Sequence, residues 1–189
     1  AMARYDIPVF LAEKPDLLSR PPMALVTNAL EAVRNHFRYE DLFSCLKTGL
    51  AGLDWDEIDK LENYVLTWNI RGGAWEREWT EHPDGYGLPI DENAKAQLAE
   101  LNILRKRAIA PFSALREALA GEQPAGDCVR ALYAFLLAVD APQRMIDRAA
   151  GHEQAGRLQL ADEYRQLWEI LVSAMEQFAW VCGDMPLTL

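Results

Sequence analysis

Carboxylates crowd one short stretch of the sequence: Asp54, Asp56, Glu57, Asp59 and Glu62. Such a cluster could hold a metal ion or carry general acid–base chemistry. The same spacing fits a helix N-terminus, with Asp54 and Glu57 forming a capping box and the helix dipole favouring the negative charge. On that second reading Asp59 and Glu62 lie on the solvated side. Opposite in sign are Arg105-Lys106-Arg107, for which a solvated face is the default, and the isolated Arg71; local charge makes these four candidates for contact with DNA phosphates. Successive helical residues point ~100° apart, so the triplet does not form one flat patch. Trp75 and Trp79 stand four apart and would share a face if locally helical, an arrangement that could stack bases. Glu76, Glu78 and Glu81 surround them and would repel phosphate, which favours a role as core clamps instead.

Other chemistry is missing from the sequence. There is no G-x-x-x-x-G-K-[ST] phosphate loop, so a nucleoside triphosphate is not held by that route. H-E-x-x-H, C-x-x-C and EF-hand spacings do not occur, and His36, His82 and His152 are scattered. Accordingly no catalytic, cofactor-binding or metal-binding residue is assigned. Cys45, Cys128 and Cys182 are odd in number and far apart, which suits a reducing compartment better than a disulfide framework.

Punctuation along the chain predicts the elements that position these residues. Ser19 as a hydroxyl cap followed by Pro21-Pro22 opens a helix carrying Met23, Val26, Leu30, Val33 and Phe37. A short helix with Leu42, Phe43 and Leu46 stops at Gly49. Asp54 starts a third, with Ile58, Leu61, Val65 and Trp68 on one face, ending near Asn69. Residues 69 to 90 read as a long loop, which is uncommon in a compact domain unless it is functional or clamped by its own side chains. Asp91 caps a long helix that is either interrupted before Pro111 or runs through it towards Gly121. Further helices are expected over about 126 to 139, from Pro142 onward, and over about 157 to 182. In the last of these Trp168 widens the apolar stripe and Trp180 adds a further aromatic, implying a helix buried on two sides or touching a partner. Ile7-Pro8-Val9-Phe10-Leu11 is the one good strand candidate, and it has no evident partner strand.

The expected fold class is therefore all-α, a multi-helix domain with one short N-terminal extended segment. Its divisions are 1–14 (tag remnant, with Ala1 before Met2, then strand or linker), 15–183 (a single helical domain) and 184–189 (an exit linker). The net charge is −10, with 19 Lys+Arg against 29 Asp+Glu. This argues against a free-standing, electrostatically driven nucleic-acid binder. No apolar run approaches the ~20 residues of a membrane span, and no basic-plus-apolar leader is present. A cytoplasmic setting without membrane contact is expected.

Two stretches carry a likeness. One is Arg38-Tyr39-Glu40-Asp41-Leu42-Phe43 followed by Leu46-Lys47-Thr48-Gly49-Leu50. The other is Asp59-Lys60-Leu61-Glu62-Asn63-Tyr64-Val65-Leu66 followed by Ile70-Arg71-Gly72 and Trp75. With the lead-in Asp6-Ile7-Pro8-Val9-Phe10, they resemble the B subunit of the bacterial ATP-dependent helicase/nuclease, the AddB or RexB family. The likeness covers most of the chain in order and is sharpest from about 5 to 75. It departs at Asn69, where family members often carry glycine; asparagine tolerates the left-handed backbone such a turn uses.

The resemblance implies an internal fragment of a much longer subunit: the helical accessory domain, known as 2B, of a superfamily-1-like helicase. The parent would be an ATP-dependent helicase/exonuclease that processes double-strand DNA breaks for homologous recombination. It would act with DNA and with the A subunit of the helicase/nuclease. Its ATP, magnesium and iron–sulphur cluster would lie outside this segment. The fragment itself would guide DNA or stabilise the subunit rather than catalyse. Two alternatives stay open: a free-standing helical protein–protein interaction module, and a small acid/base hydrolase using the carboxylates near Asp54.

Overall fold

The computed structural model describes residues 17–189, so the extended segment Ile7–Leu11 and the 1–14 division lie outside the described residues. The described part is all-α, with seven α-helices and one minimal sheet. The helices are α1 (Pro21–Arg34), α2 (Tyr39–Leu46), α3 (Trp55–Trp68), α4 (Glu92–Ala118), α5 (Ala125–Ala138), α6 (Ala141–Gln154) and α7 (Leu158–Cys182). The strands are β1 (Glu122–Pro124) and β2 (Pro186–Thr188), and 3-10 turns lie at Leu17–Ser19 and Gly72–Trp75. No described helix is long and apolar enough to cross a membrane.

Helix ends follow local chemistry, with corrections at both ends of α1, which stops at Arg34 and leaves Phe37 in the left-handed turn beyond it. Pro21 and Pro22 do occupy the first positions of α1, but the N-cap is Arg20 rather than Ser19. Around α3 the capping box is complete: the Glu57 amide donates to Asp54 Oδ1 at 2.9 Å, and the Asp54 amide donates to Glu57 Oε2 at 3.0 Å. Asn69 ends that helix in the left-handed conformation, φ 51°. Helix α4 continues without interruption through Pro111. Proline there lacks an amide and disfavours the helix, but Ala108, Ile109, Phe112 and Leu115 are all buried around it and hold the helix in the core.

One contiguous core joins all seven helices, with Leu25, Phe37, Leu42, Leu46, Ile58, Leu61, Phe112 and Leu136 among its buried members. Residues 184–189, read from the sequence as an exit linker, carry β2, which pairs antiparallel with β1 and sets Gln123 opposite Leu187. The same approach serves the start of α5. The Ala125 amide donates to Met185 O at 2.8 Å and the Gly126 amide to Gly183 O at 2.9 Å. Amides in a first helical turn have no partner within the helix, and here the chain leaving α7 supplies one. A Cβ on Gly126 would meet Gly183 O at 3.4 Å, so this meeting of two chain segments favours the smallest residue.

The loop between α3 and α4 is clamped from within. Trp75 is fully buried and Trp79 nearly so; the Trp79 ring stacks on Tyr64 with centroids 4.6 Å apart. Asn102, buried on α4, holds the loop backbone. Its Oδ1 accepts from the Trp79 amide at 2.9 Å, and its Nδ2 donates to Trp79 O at 2.9 Å and to Leu98 O at 3.1 Å. The Tyr64 hydroxyl donates to Glu81 O at 3.1 Å, and Trp68 Nε1 donates to His82 O at 3.0 Å. The two tryptophans are thus core clamps, as their acidic neighbours implied. Replacing Asn102 by alanine strips both buried backbone groups of Trp79 of their partner. It is expected to cost about 3 kcal/mol in urea unfolding, with a red shift in tryptophan emission. A loss below about 0.5 kcal/mol would refute the clamp.

Candidate nucleic-acid interface

The four cations singled out from the sequence have different fates. Arg105 is only 3% exposed and is corrected from a surface candidate to an interior cation. Its Nη1 donates to Trp75 O at 2.6 Å and its Nε to Asn102 Oδ1 at 3.0 Å, while the guanidinium lies 5.9 Å from the Trp79 ring centroid. Burial lowers its pKa from the ordinary arginine value, partly offset by the charge of Glu78. The α4 face that buries Leu101, Leu104 and Ala108 includes position 105, so its head turns inward to the loop carbonyls. Lys106 and Arg107 lie on the outer side of α4 and are exposed. Arg107 pairs with Glu57, whereas Lys106 has no ion-pair or hydrogen-bond partner among the described residues. Arg71 is exposed at the start of the 3-10 turn Gly72–Trp75.

Arg71 lines a cleft that the sequence did not lead us to expect. Its walls are Arg38, Tyr39 and Glu40 from the start of α2, and Val65, Leu66 and Ile70 from the end of α3 and beyond. Lys106 and Arg107 do not line it. Arg38 was missed because 33 positions separate it from Arg71 and nothing in local spacing links them. The available signal was that each of the two likeness-bearing stretches contains one of these arginines.

Two turns hold the cleft's rims. After α1, His36 and Phe37 both take left-handed backbone, φ 55° and 57°, uncommon for residues with side chains and sustained only by their surroundings. The Phe37 amide donates to Ala32 O at 2.8 Å, and the ring is fully buried with the Arg116 guanidinium 4.8 Å from its centroid. After α3, the Ile70 amide donates to Val65 O at 3.0 Å. The turns meet at Gly72, φ 53°, where a Cβ would stand 3.6 Å from His36 O.

The acidic run is dispersed among structural roles. Asp59 is exposed as expected, but Glu62 is corrected: its side chain is only 15% exposed. Its Oε1 accepts from the Tyr39 hydroxyl and from Lys47 Nζ, both at 2.6 Å, tying α2 to α3 beneath the cleft. Burial pushes the Glu62 carboxyl up, but the hydrogen bonds from Lys47 and Tyr39 and the lysine charge outweigh it and leave the pKa below the ordinary value. The bond to Glu62 raises the Tyr39 hydroxyl in turn. Glu57 is engaged by the capping box and Arg107, and Asp56 is exposed on an adjacent helical position that faces another way. They do not form the paired carboxylates an acid/base hydrolase needs.

Among the described residues no three His, Cys, Asp or Glu side chains group as metal ligands. Cys45 is buried, with its thiol directed at Leu25 O and its pKa pushed up by burial. Cys128 and Cys182 are half-buried. An iron–sulphur cluster held by four thiolates does not fit a chain with three dispersed cysteines.

No family model matches the chain. Curated relatives do match it, and three of them share one name, the B subunit of an ATP-dependent helicase/deoxyribonuclease. The protein of Acetivibrio thermocellus is 34% identical over 187 residues, covering 96% of this chain. That of Desulforamulus reducens is 34% identical over 190 residues, and that of Clostridioides difficile 33% over 187, each covering 98%. The chain spans 16% of the length of each relative. It is thus homologous, almost end to end, to one stretch of these B subunits, in agreement with the likeness seen in its sequence.

The Glu62 network makes a pH prediction. In the unfolded chain this carboxyl titrates near the ordinary glutamate value, and in the fold it titrates lower. Its stabilisation is therefore complete at neutral pH and is lost as pH falls from the ordinary value through the folded one. Glu62→Gln should cost about 1–2 kcal/mol at pH 7, shrinking towards nothing below about pH 4, as followed by urea unfolding across that range. A deficit independent of pH would contradict the assignment.

Proposed function

We propose that this chain is a non-catalytic stretch of the B subunit of an ATP-dependent helicase/nuclease, acting in double-strand break repair by homologous recombination. The carrying observation is the match of 96–98% of the chain to 16% of subunits that bear that name. In this reading the helices form an accessory domain of a superfamily-1-like helicase, of the kind called 2B, that guides DNA and stabilises the subunit. ATP, magnesium and the iron–sulphur cluster belong to the parent outside this stretch. The partners are DNA and the A subunit, in the cytoplasm.

Lys106 and Arg107, side by side on the outer face of α4, and Arg71 support a DNA-guiding role. Support for the stabilising role comes from α7 and its neighbours. A largely apolar groove of about 370 Å³ runs between Leu119, Val129, Leu132, Met175, Phe178 and Leu189. Nearby in sequence, Trp180 is 89% exposed and Val181 71%. Apolar surface of this kind suits packing against further protein. It would equally serve a free-standing interaction module, the second reading.

In a helicase/nuclease assembled with a B subunit carrying this stretch, Lys106→Glu with Arg107→Glu should weaken binding to DNA ends severalfold at low ionic strength and flatten its salt dependence. ATP hydrolysis without DNA should not change. Unaltered affinity and an unaltered salt slope would remove these two residues from the DNA path.

A further inference from the structure

Charge pairing in this chain is extensive, which makes its exceptions informative. Seventeen lysines and arginines are described. Nine are in ion pairs. Three more, Arg105, Arg144 and Arg148, donate hydrogen bonds to other residues of the fold. In a chain with ten more acidic than basic residues, a cation left unpaired is not short of available carboxylates. Arg38 and Arg71 are two such cations among the described residues, and they line one cleft together.

The cleft is built rather than incidental. Arg38 precedes Tyr39, whose hydroxyl is fixed on Glu62 of α3 at 2.6 Å. Arg71 follows the Asn69–Ile70 turn, whose backbone is closed on Val65. The left-handed pair His36–Phe37 and the glycine at 72 bring the two turns into contact. The buried Phe37 ring holds the left-handed turn that leads directly into Arg38. Beside the polar Tyr39, Glu40 and Asn69, the lining has an apolar part formed by Val65, Ile70 and Leu66, the last 58% exposed. The cleft encloses about 620 Å³.

We infer that this cleft binds a single-stranded DNA segment, with Arg38 and Arg71 contacting backbone phosphate and the Leu66 wall receiving sugar or base. Guanidinium groups recognise phosphate through paired donors. An unpaired strand exposes the apolar faces that such a wall can cover, which a duplex keeps stacked. Glu40 also lines the cleft and opposes the phosphate, so it limits affinity and favours release. The inference rests on the DNA reading above and assigns it a place that Lys106 and Arg107 do not share.

The test is fluorescence anisotropy of labelled oligothymidylate with the chain across a salt series. Arg38→Gln and Arg71→Gln should each weaken binding and reduce the slope of log affinity against log salt by about 0.7, the value for one phosphate contact on a single strand. Glu40→Gln should tighten binding. Both arginines are exposed, so circular dichroism should report intact helices in each variant. An unchanged slope after both arginine substitutions, with a reduced slope in Lys106→Gln/Arg107→Gln, overturns the cleft and leaves the broader DNA reading standing. Absence of oligonucleotide binding by the unsubstituted chain overturns both. Equal affinity for labelled poly-glutamate overturns the nucleic-acid assignment in favour of an acidic polypeptide.

Discussion

A buried backbone amide or carbonyl must find a partner, and this requirement governs how the chain can carry a connection as long as 69–90. Asn102 meets it from α4 by bonding both the amide and the carbonyl of Trp79. Arg105, one turn on, takes the carbonyl of Trp75. With these groups satisfied, the two indoles can sit in the core without stranding the chain that carries them. The consequence reaches beyond the loop: the start of this connection carries Arg71, and its position is only as firm as the segment behind it.

Electrostatics and packing cooperate in the same region. An amide side chain and a guanidinium are costly to bury unless their hydrogen bonds are made. Both are satisfied, largely by backbone groups rather than by carboxylates. Glu62 follows the same logic with opposite sign, its burial offset by Tyr39 and Lys47. These polar ties join α2, α3 and α4 at fixed points, whereas the apolar core alone would permit sliding. Where β1 and β2 pair and the exit of α7 caps the entry of α5, the tie is backbone to backbone.

The relation to B subunits of helicase/nucleases gives these features a setting. A helical body carrying a large negative charge is a poor general adhesive for DNA, so any strand it guides must follow particular cations. Lys106 and Arg107 are exposed on α4, and Arg38 and Arg71 line one cleft elsewhere on the chain. Apolar surface near the end of α7 offers a different kind of contact, suited to protein.

Local rules let the sequence alone determine a great deal. Proline at a first helical position, an Asp54–Glu57 box and a left-handed Asn69 depend on neighbours within a few residues, so they are legible without coordinates. The clamping role of Trp75 and Trp79 was legible for a similar reason, since the adjacent glutamates exclude phosphate. The resemblance to B subunits was legible because motif order survives in the chain itself. Tertiary structure alone decided whether a charged residue faces inward. Arg105, Lys106 and Arg107 are chemically similar neighbours, and only the placement of the 69–90 loop against α4 makes the first an interior donor. Glu62 turned from a solvated charge into a half-buried junction because Tyr39 and Lys47, distant in sequence, arrive at its helix. The pairing of residues 186–188 with 122–124, and of Arg38 with Arg71 across one cleft, likewise depends on where separate segments meet, which no local spacing encodes.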